Sequence, residues 1–265
     1  MFPLLTKTFP ASARELERLL NESLARVLIT HGDPVRVMGE DVARLDQISI
    51  NLDHAEVRRD APPPRMPSGG TSPALNVQRL NLQGHGVALG PANVDLRLEA
   101  QSVQLHQGKD SRDEIVLTLH VATDGHVEIS TTVADVERAV AEIAKGEAGK
   151  HGVTIEDVRL DLRQAGRRAV ESVASFRARK MFFSTMVRIT GRLEIDEQLN
   201  ARLSNLNCAG EGAIGSLACG FLGPHLQRMD GRSFPLMTFS LGEVRLRDVQ
   251  LSVGNRLSVR AEFGA

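Results

Sequence analysis

The sequence predicts an α+β fold, a long, strongly curved, mostly antiparallel sheet wrapped around a few helices. Two observations carry that expectation. The first is a pattern that occurs five times: an apolar residue, two polar ones, then strict apolar–polar alternation. Its copies cover 45–52, 77–82, 100–105, 155–162 and 246–253. Alternation puts every second side chain on one face of a strand. The doubled polar step shifts that phase by one residue, which a bulge absorbs. A long strand that bulges while keeping its apolar side inward bends around something. The second observation is that helix-coded stretches closed by glycine recur between these strands.

The first helix is predicted over about 12–31. Ser12 and Glu15 form a capping-box pattern. Leu16, Leu20, Leu24, Val27 and Leu28 make one apolar stripe, with Glu22 and Arg26 paired outside. His31 and Gly32 end it. Extended segments continue to about 133, interrupted at 61–73 by a flexible loop rich in Pro and Gly, read as an insertion between strands. A second helix over about 133–148 carries Val133, Val136, Val140 and Ile143 on one face and ends in Gly146, Gly149 and Gly152. Strands are expected over 153–207, with the Ala-rich stretch 165–179 partly helical. A third helix, 212–229, leads into a final hairpin that alternates Val249, Leu251 and Val253, turns at Gly254 and Asn255, and continues through Leu257, Val259, Ala261 and Phe263. The expected organisation is one α+β domain over 1–265, with halves 1–133 and 134–265.

At 42 % hydrophobic, 265 residues can bury a core of that size. A net charge of −1 gives no global attraction to nucleic acid or membrane. The aromatics are nine Phe with no Trp or Tyr, too few stacking surfaces for nucleic acid, which is not expected as a partner. Cys208 and Cys219 read most simply as reduced thiols. The first residues lack the basic and apolar runs of a signal peptide. No apolar run approaches the ~20 residues of a membrane span. A cytoplasmic protein, at most peripheral to a membrane, is expected.

Conventional chemistry finds little support. Gly210, Gly212 and Gly215 match a G-x-G-x-x-G dinucleotide fingerprint before a helix. The chain after that helix, however, is an alternating hairpin and not a second parallel strand. A dinucleotide-dependent enzyme stays a remote alternative. His120 and His126 flank the turn at 122–125 and are expected to face each other across a hairpin. No Cys, Asp or Glu stands with them at zinc-ligand spacing. No G-x-S-x-G elbow is present. Hence no catalytic residue, metal or other cofactor is expected.

Two stretches stand out. The helix 212–229 is built from Gly212, Ala213, Gly215, Ser216, Ala218, Cys219, Gly220 and Gly223, with Ile214, Leu217, Phe221 and Leu222 on one side. Either it packs very closely on a sheet, or it floors an apolar cavity. In the second case Ile214, Leu217, Ala218, Phe221 and Leu222, with Phe182 and Met186, contact the ligand. Residues 163–192 hold Arg163, Arg167, Arg168, Arg177, Arg179, Lys180, Arg188 and Arg192 against the single acid Glu171. If Arg177, Arg179 and Lys180 attract anionic headgroups while Phe183 inserts, this is a membrane-surface patch. The alternative is a solvated strand face with Phe182 and Phe183 in the core.

With these residues in view, the chain resembles the tubular lipid-binding (TULIP) superfamily, in texture closest to the bacterial LmeA-like lipid-binding proteins. The resemblance is carried by 186–195, by the small-residue helix through Pro224 and Leu226, and by 234–251 running on to 257–264. It implies a curved sheet around a helix, with an apolar groove between them that holds a lipid tail. The expected function is non-enzymatic binding or transfer of a lipid or other long apolar molecule, between helix 212–229 and the sheet. The other class of function is a structural or protein-interaction module with a filled core.

Overall fold

The computed structural model describes residues 2–63, 65–150, 152–180, 183–236 and 244–264, with the backbone alone described at 147, 180, 213, 214, 217, 218, 221 and 225. The described elements are, in chain order, β1 (Phe2–Pro3), α1 (Ala13–Ala25), β2 (Leu28–Ile29), β3 (Val35–Met38), β4 (Arg44–Asn51), β5 (Glu56–Val57), β6 (Ser72–Leu89), β7 (Ala92–Lys109), β8 (Ile115–Val121) and β9 (Asp124–Thr132). Then come α2 (Val133–Gly149), β10 (Thr154–Gly166), β11 (Ala169–Lys180), β12 (Phe183–Ile195), β13 (Asn200–Gly210), α3 (Gly212–Met229), β14 (Ser233–Pro235), β15 (Arg245–Val253) and β16 (Arg256–Gly264). The chain divides into two compact units. Unit 1 holds 1–129, 239–248 and 260–265; unit 2 holds 130–238 and 249–259.

In unit 1, three copies of the repeated pattern lie side by side. Parallel pairing sets Leu45 beside Val77 and Ile48 beside Leu80. Antiparallel pairing sets Val77 beside Val103 and Leu80 beside Ala100. The doubled polar steps at 46–47, 78–79 and 101–102 therefore fall in one line across β4, β6 and β7. All three strands shift phase together, and Ser102 takes a positive φ of 48° there. As a result Leu45, Ile48, Ile50, Val77, Leu80, Ala100, Val103 and Leu105 are all buried in one core. Against it packs α1, through Leu16, Leu19 and Leu20.

Local chemistry sets the limits of α1. The Ser12 hydroxyl accepts the Glu15 N–H at 3.2 Å, and the Glu15 carboxylate accepts the Ala11 N–H at 2.8 Å. The helix stops at Ala25, earlier than expected, because Leu28 and Ile29 pair with Val57 and Glu56 as a strand. The outer ion pair is accordingly Arg18 with Glu22, 2.5 Å apart, and not Glu22 with Arg26. Among the described residues of 61–73, Arg65 and Ser68 are tied to the end of β7 and the turn after it. The Arg65 guanidinium pairs with Asp110 at 3.1 Å and with Glu114, and the Ser68 N–H donates to the Lys109 carbonyl at 2.8 Å. Both termini join one sheet: β1 pairs with β8, and β15 and β16 continue the order through β9 to β7. Pairing is antiparallel in most of the described ladders; β4 and β5 run parallel to β6.

Unit 2 is built on the antiparallel order β10-β11-β12-β13-β14. The fourth pattern copy sits in β10. There the register slips between Glu156 and Arg159, and Asp157 takes a φ of 50°, a left-handed conformation that Asp tolerates better than most residues. The expectation of partial helix at 165–179 is overturned. Arg167 and Arg168 lie in a turn, and Val170, Ala174, Phe176 and Ala178 alternate along β11. Pairing on both sides outweighs the helix propensity of the alanines. The inner stripe of α2 is also displaced from the expected one. Ile143 is 68 % exposed, while Ala144 and Ala148 pack on the sheet. The Glu137 carboxylate accepts the Leu160 N–H at 2.8 Å, closing part of the open edge of β10. The final hairpin is as expected, turning at Gly254 and Asn255.

Candidate functional site

The clearest asymmetry in unit 2 is between the two faces of its sheet. Register places Leu160 beside Ala174, Ala174 beside Ile189, and Ile189 beside Cys208. The next row along the same face runs Leu162, Ser172, Gly191, and the one after it Val170, Leu193, Leu203. Leu206 lies over Gly191, where a Cβ would come 2.8 Å from its Cδ2. Both helices stand on this face: Ala144 and Ala148 of α2 and Cys219 and Leu222 of α3 share one cluster with Ile155, Phe176, Ala178 and Val187. Between and beyond them the lane is only partly covered. Leu160, Leu162, Ala174, Ile189 and Leu206 are half-buried, and Leu193 is 39 % exposed.

The opposite face carries the arginines. Arg177 pairs with Asp157 at 3.3 Å, Arg179 with Glu156 at 4.0 Å, and Arg163 with Asp161 at 2.7 Å. Arg192 meets Glu194 at 3.0 Å and Glu171 at 3.2 Å. Above all the Glu194 hydrogen bond, and with it Glu171, raises the pKa of the Arg192 guanidinium. Much of the basic excess counted along 163–192 is thus balanced by carboxylates from the same strand or its neighbour. Phe176 is buried in the core, while Phe183 is 59 % exposed at the start of β12.

Close packing explains part of α3. A Cβ on Gly210 would lie 2.4 Å from the Gly215 carbonyl oxygen, so the end of β13 and the first turn of α3 touch backbone to backbone. Eleven residues apart, Cys208 and Cys219 form a disulfide across that contact. This overturns the expectation of reduced thiols. The chain reverses between β13 and α3, and the helix lies back on the strand that leads into it. The helix is weak on its own terms. Interior glycines at 215, 220 and 223 each cost about 1 kcal/mol against Ala, and Pro224 within it about 3 kcal/mol. Its N-cap, Glu211, supplies no side-chain bond. Beside Gly220 and Gly223 there is open space, with nothing within 4 Å of an added Cβ.

The expected ligand contacts do not all share one face. Leu222 packs in the cluster under α3. Met186 pairs with Arg177 and stands on the charged face, one residue out of phase with Val187, so it cannot share a site with Leu222. Phe182 lies outside the described residues, as do the side chains of Ile214, Leu217, Ala218, Phe221 and Lys180. Leu160, Ala174, Ile189 and Leu193 were not singled out by the sequence, although their alternation placed them on this face.

Other chemistry is sparse. The three glycines at 210–215 come after a strand antiparallel to its neighbour, and β14 returns antiparallel to β13, so they do not open a parallel crossover of dinucleotide type. His120 stacks on His106 with ring centroids 3.6 Å apart, and His126 lies 3.9 Å from Glu99. No cluster of three metal-ligating side chains occurs among the described residues. Two concavities lie in unit 1, one along α1 at Glu15, Glu17 and Asn21, the other at Asp46, Asn76 and Gln78. Comparison of the chain with protein-family models, with curated proteins and with solved structures found no match.

Proposed function

We propose that the protein binds a lipid or other long apolar molecule without chemical turnover, on the β10–β13 face flanked by α2 and α3. The observation that supports this best is the half-buried lane of Leu160, Leu162, Ala174, Ile189, Leu193 and Leu206, left partly open although two helices already pack on that face. A contiguous run of apolar side chains kept from full burial supports a binding surface more than singly scattered ones would. At about 3.3 Å per residue, the four steps along β12 from Ile189 to Leu193 give the lane a length of about 13 Å, enough for part of an acyl chain. The resemblance to the TULIP superfamily supports the same reading, including the curved sheet it implies.

No helix among the described residues is long and apolar enough to cross a membrane. The Cys208–Cys219 bond favours an oxidising compartment over the cytoplasm expected from the sequence. Peripheral contact with an anionic membrane at Arg177, Arg179, Lys180 and Phe183 is the weaker proposal. Phe183 is exposed, but Arg177 and Arg179 are paired with carboxylates. Flotation with anionic vesicles tests it. Equal recovery of the parent and of Phe183→Ser would remove it.

The main test is organic extraction of the purified protein and mass spectrometry of the extract. A bound lipid or long-chain compound at near-stoichiometric amount is the expected result. Extracts empty of any apolar compound would leave the second reading, a structural or interaction module with a filled core.

A further inference from the structure

We infer that the Cys208–Cys219 bond is a thiol–disulfide exchange site that fastens α3 to its sheet and releases it on reduction. Three independent observations converge on it. The helix carries interior glycines, an internal proline and no side-chain N-cap, so its helical state depends on what holds it down. Among the described residues it is held by the Gly210–Gly215 backbone contact at its start, by the disulfide one turn later, by Leu222 packed on the cluster beneath it, and at its end by the Asp230 carboxylate, which accepts the Leu206 N–H at 3.0 Å. Both cysteines are half-buried rather than fully enclosed. The bond is the one covalent element among these.

The reductant is a dithiol. Its thiolate attacks one sulfur of the pair, forming a mixed disulfide and expelling the other cysteine as a thiolate. The second thiol of the reductant then attacks its own sulfur in the mixed disulfide. The reductant leaves as a cyclic disulfide, and two electrons and two protons have passed to Cys208 and Cys219. With the short loop opened, α3 frays from the sheet and uncovers Val187, Ile189 and Phe176 beneath it. Release of a lipid from the lane would result only if the proposed function holds. Release of the helix does not depend on it.

Hydrogen exchange of the full chain, read by mass spectrometry with and without dithiothreitol, tests the inference. Alkylation should report two new thiols. Amides of 212–229 should exchange about a hundredfold faster, while those of β10 and β11 change little. Cys208→Ser with Cys219→Ser should reproduce the fast exchange without reductant. Gly220→Ala with Gly223→Ala, placed where open space accepts a Cβ, should restore much of the lost protection in reduced protein. Unchanged exchange of α3 with both thiols titrated would overturn the inference. So would resistance of the native bond to the dithiol, or equal acceleration throughout unit 2, which would make the bond a general staple. Fast α3 exchange with unchanged bound lipid would count against the lane as the lipid site and leave the switch standing.

Discussion

A Cβ on Gly215 would lie 2.3 Å from the Gly210 carbonyl carbon, so β13 and α3 meet where neither residue can carry a side chain. Gly215→Ala must therefore lift the helix from the strand, and should cost about 1–3 kcal/mol by overpacking. Gly220→Ala, in open space on the same helix, should stabilise by about 1 kcal/mol through propensity alone. Urea denaturation of the two variants beside the parent checks both. The same sign for both would show that α3 is not docked as described.

Edge protection by α1 gives a second prediction. The Glu17 carboxylate accepts the Val37 N–H at 2.8 Å. Asn21 accepts the Val35 N–H at 2.8 Å and donates to the Val35 carbonyl at 3.2 Å. Two side chains one turn apart thus stand in for a missing strand beside β3, which ends the sheet order. Asn21→Leu should cost about 1–3 kcal/mol, because Val35 is fully buried and keeps an unpaired N–H. Glu17→Ala with Asn21→Ala should also promote self-association, measurable by light scattering. A double variant as stable and monodisperse as the parent would refute the role.

Asp110 supplies a pH dependence. Burial by itself would raise its carboxyl, but the N–H groups of Arg112 and Glu114 and the Arg65 guanidinium outweigh that and hold it below the ordinary 3.8. A lowered folded-state pKa means that its stabilisation is complete above the unfolded value and is lost as pH falls through the folded one. The urea midpoint of Asp110→Asn should lie furthest below that of the parent near neutral pH. The gap should close on acidification below about pH 4. A gap independent of pH would assign the effect to packing.

How much of this was legible depends on the range of each interaction. The repeated pattern was readable because alternation is local: Leu45, Ile48, Val77, Leu80, Ala100 and Val103 are buried as their spacing required. That three copies line up across β4, β6 and β7 depends on register, which no single copy encodes. The 163–192 stretch looked strongly basic because the acids that balance Arg177 and Arg179, Asp157 and Glu156, come from the neighbouring strand β10. Met186 was misplaced for a simpler reason, since one residue of phase separates the charged face from the apolar one. The disulfide was hidden by the reversal between β13 and α3, and the end of α1 by the pairing of Leu28 with Val57.

The lane itself is best probed at Ala174, in the row between Leu160 and Ile189. It is half-buried, and the strand beneath it is paired on both sides, so a larger side chain there alters the lane before it alters the fold. If the lane holds an apolar molecule, Ala174→Phe should occupy its space. Lipid recovered by extraction should fall to a small fraction of that in the parent, while stability without ligand changes by less than about 1 kcal/mol. If the row is already filled by the protein's own side chains, the same substitution should cost about 1–3 kcal/mol and leave the extract unchanged. Melting and lipid content measured on one preparation separate the two. Loss of stability with undiminished lipid would place any ligand elsewhere and return this face to the core.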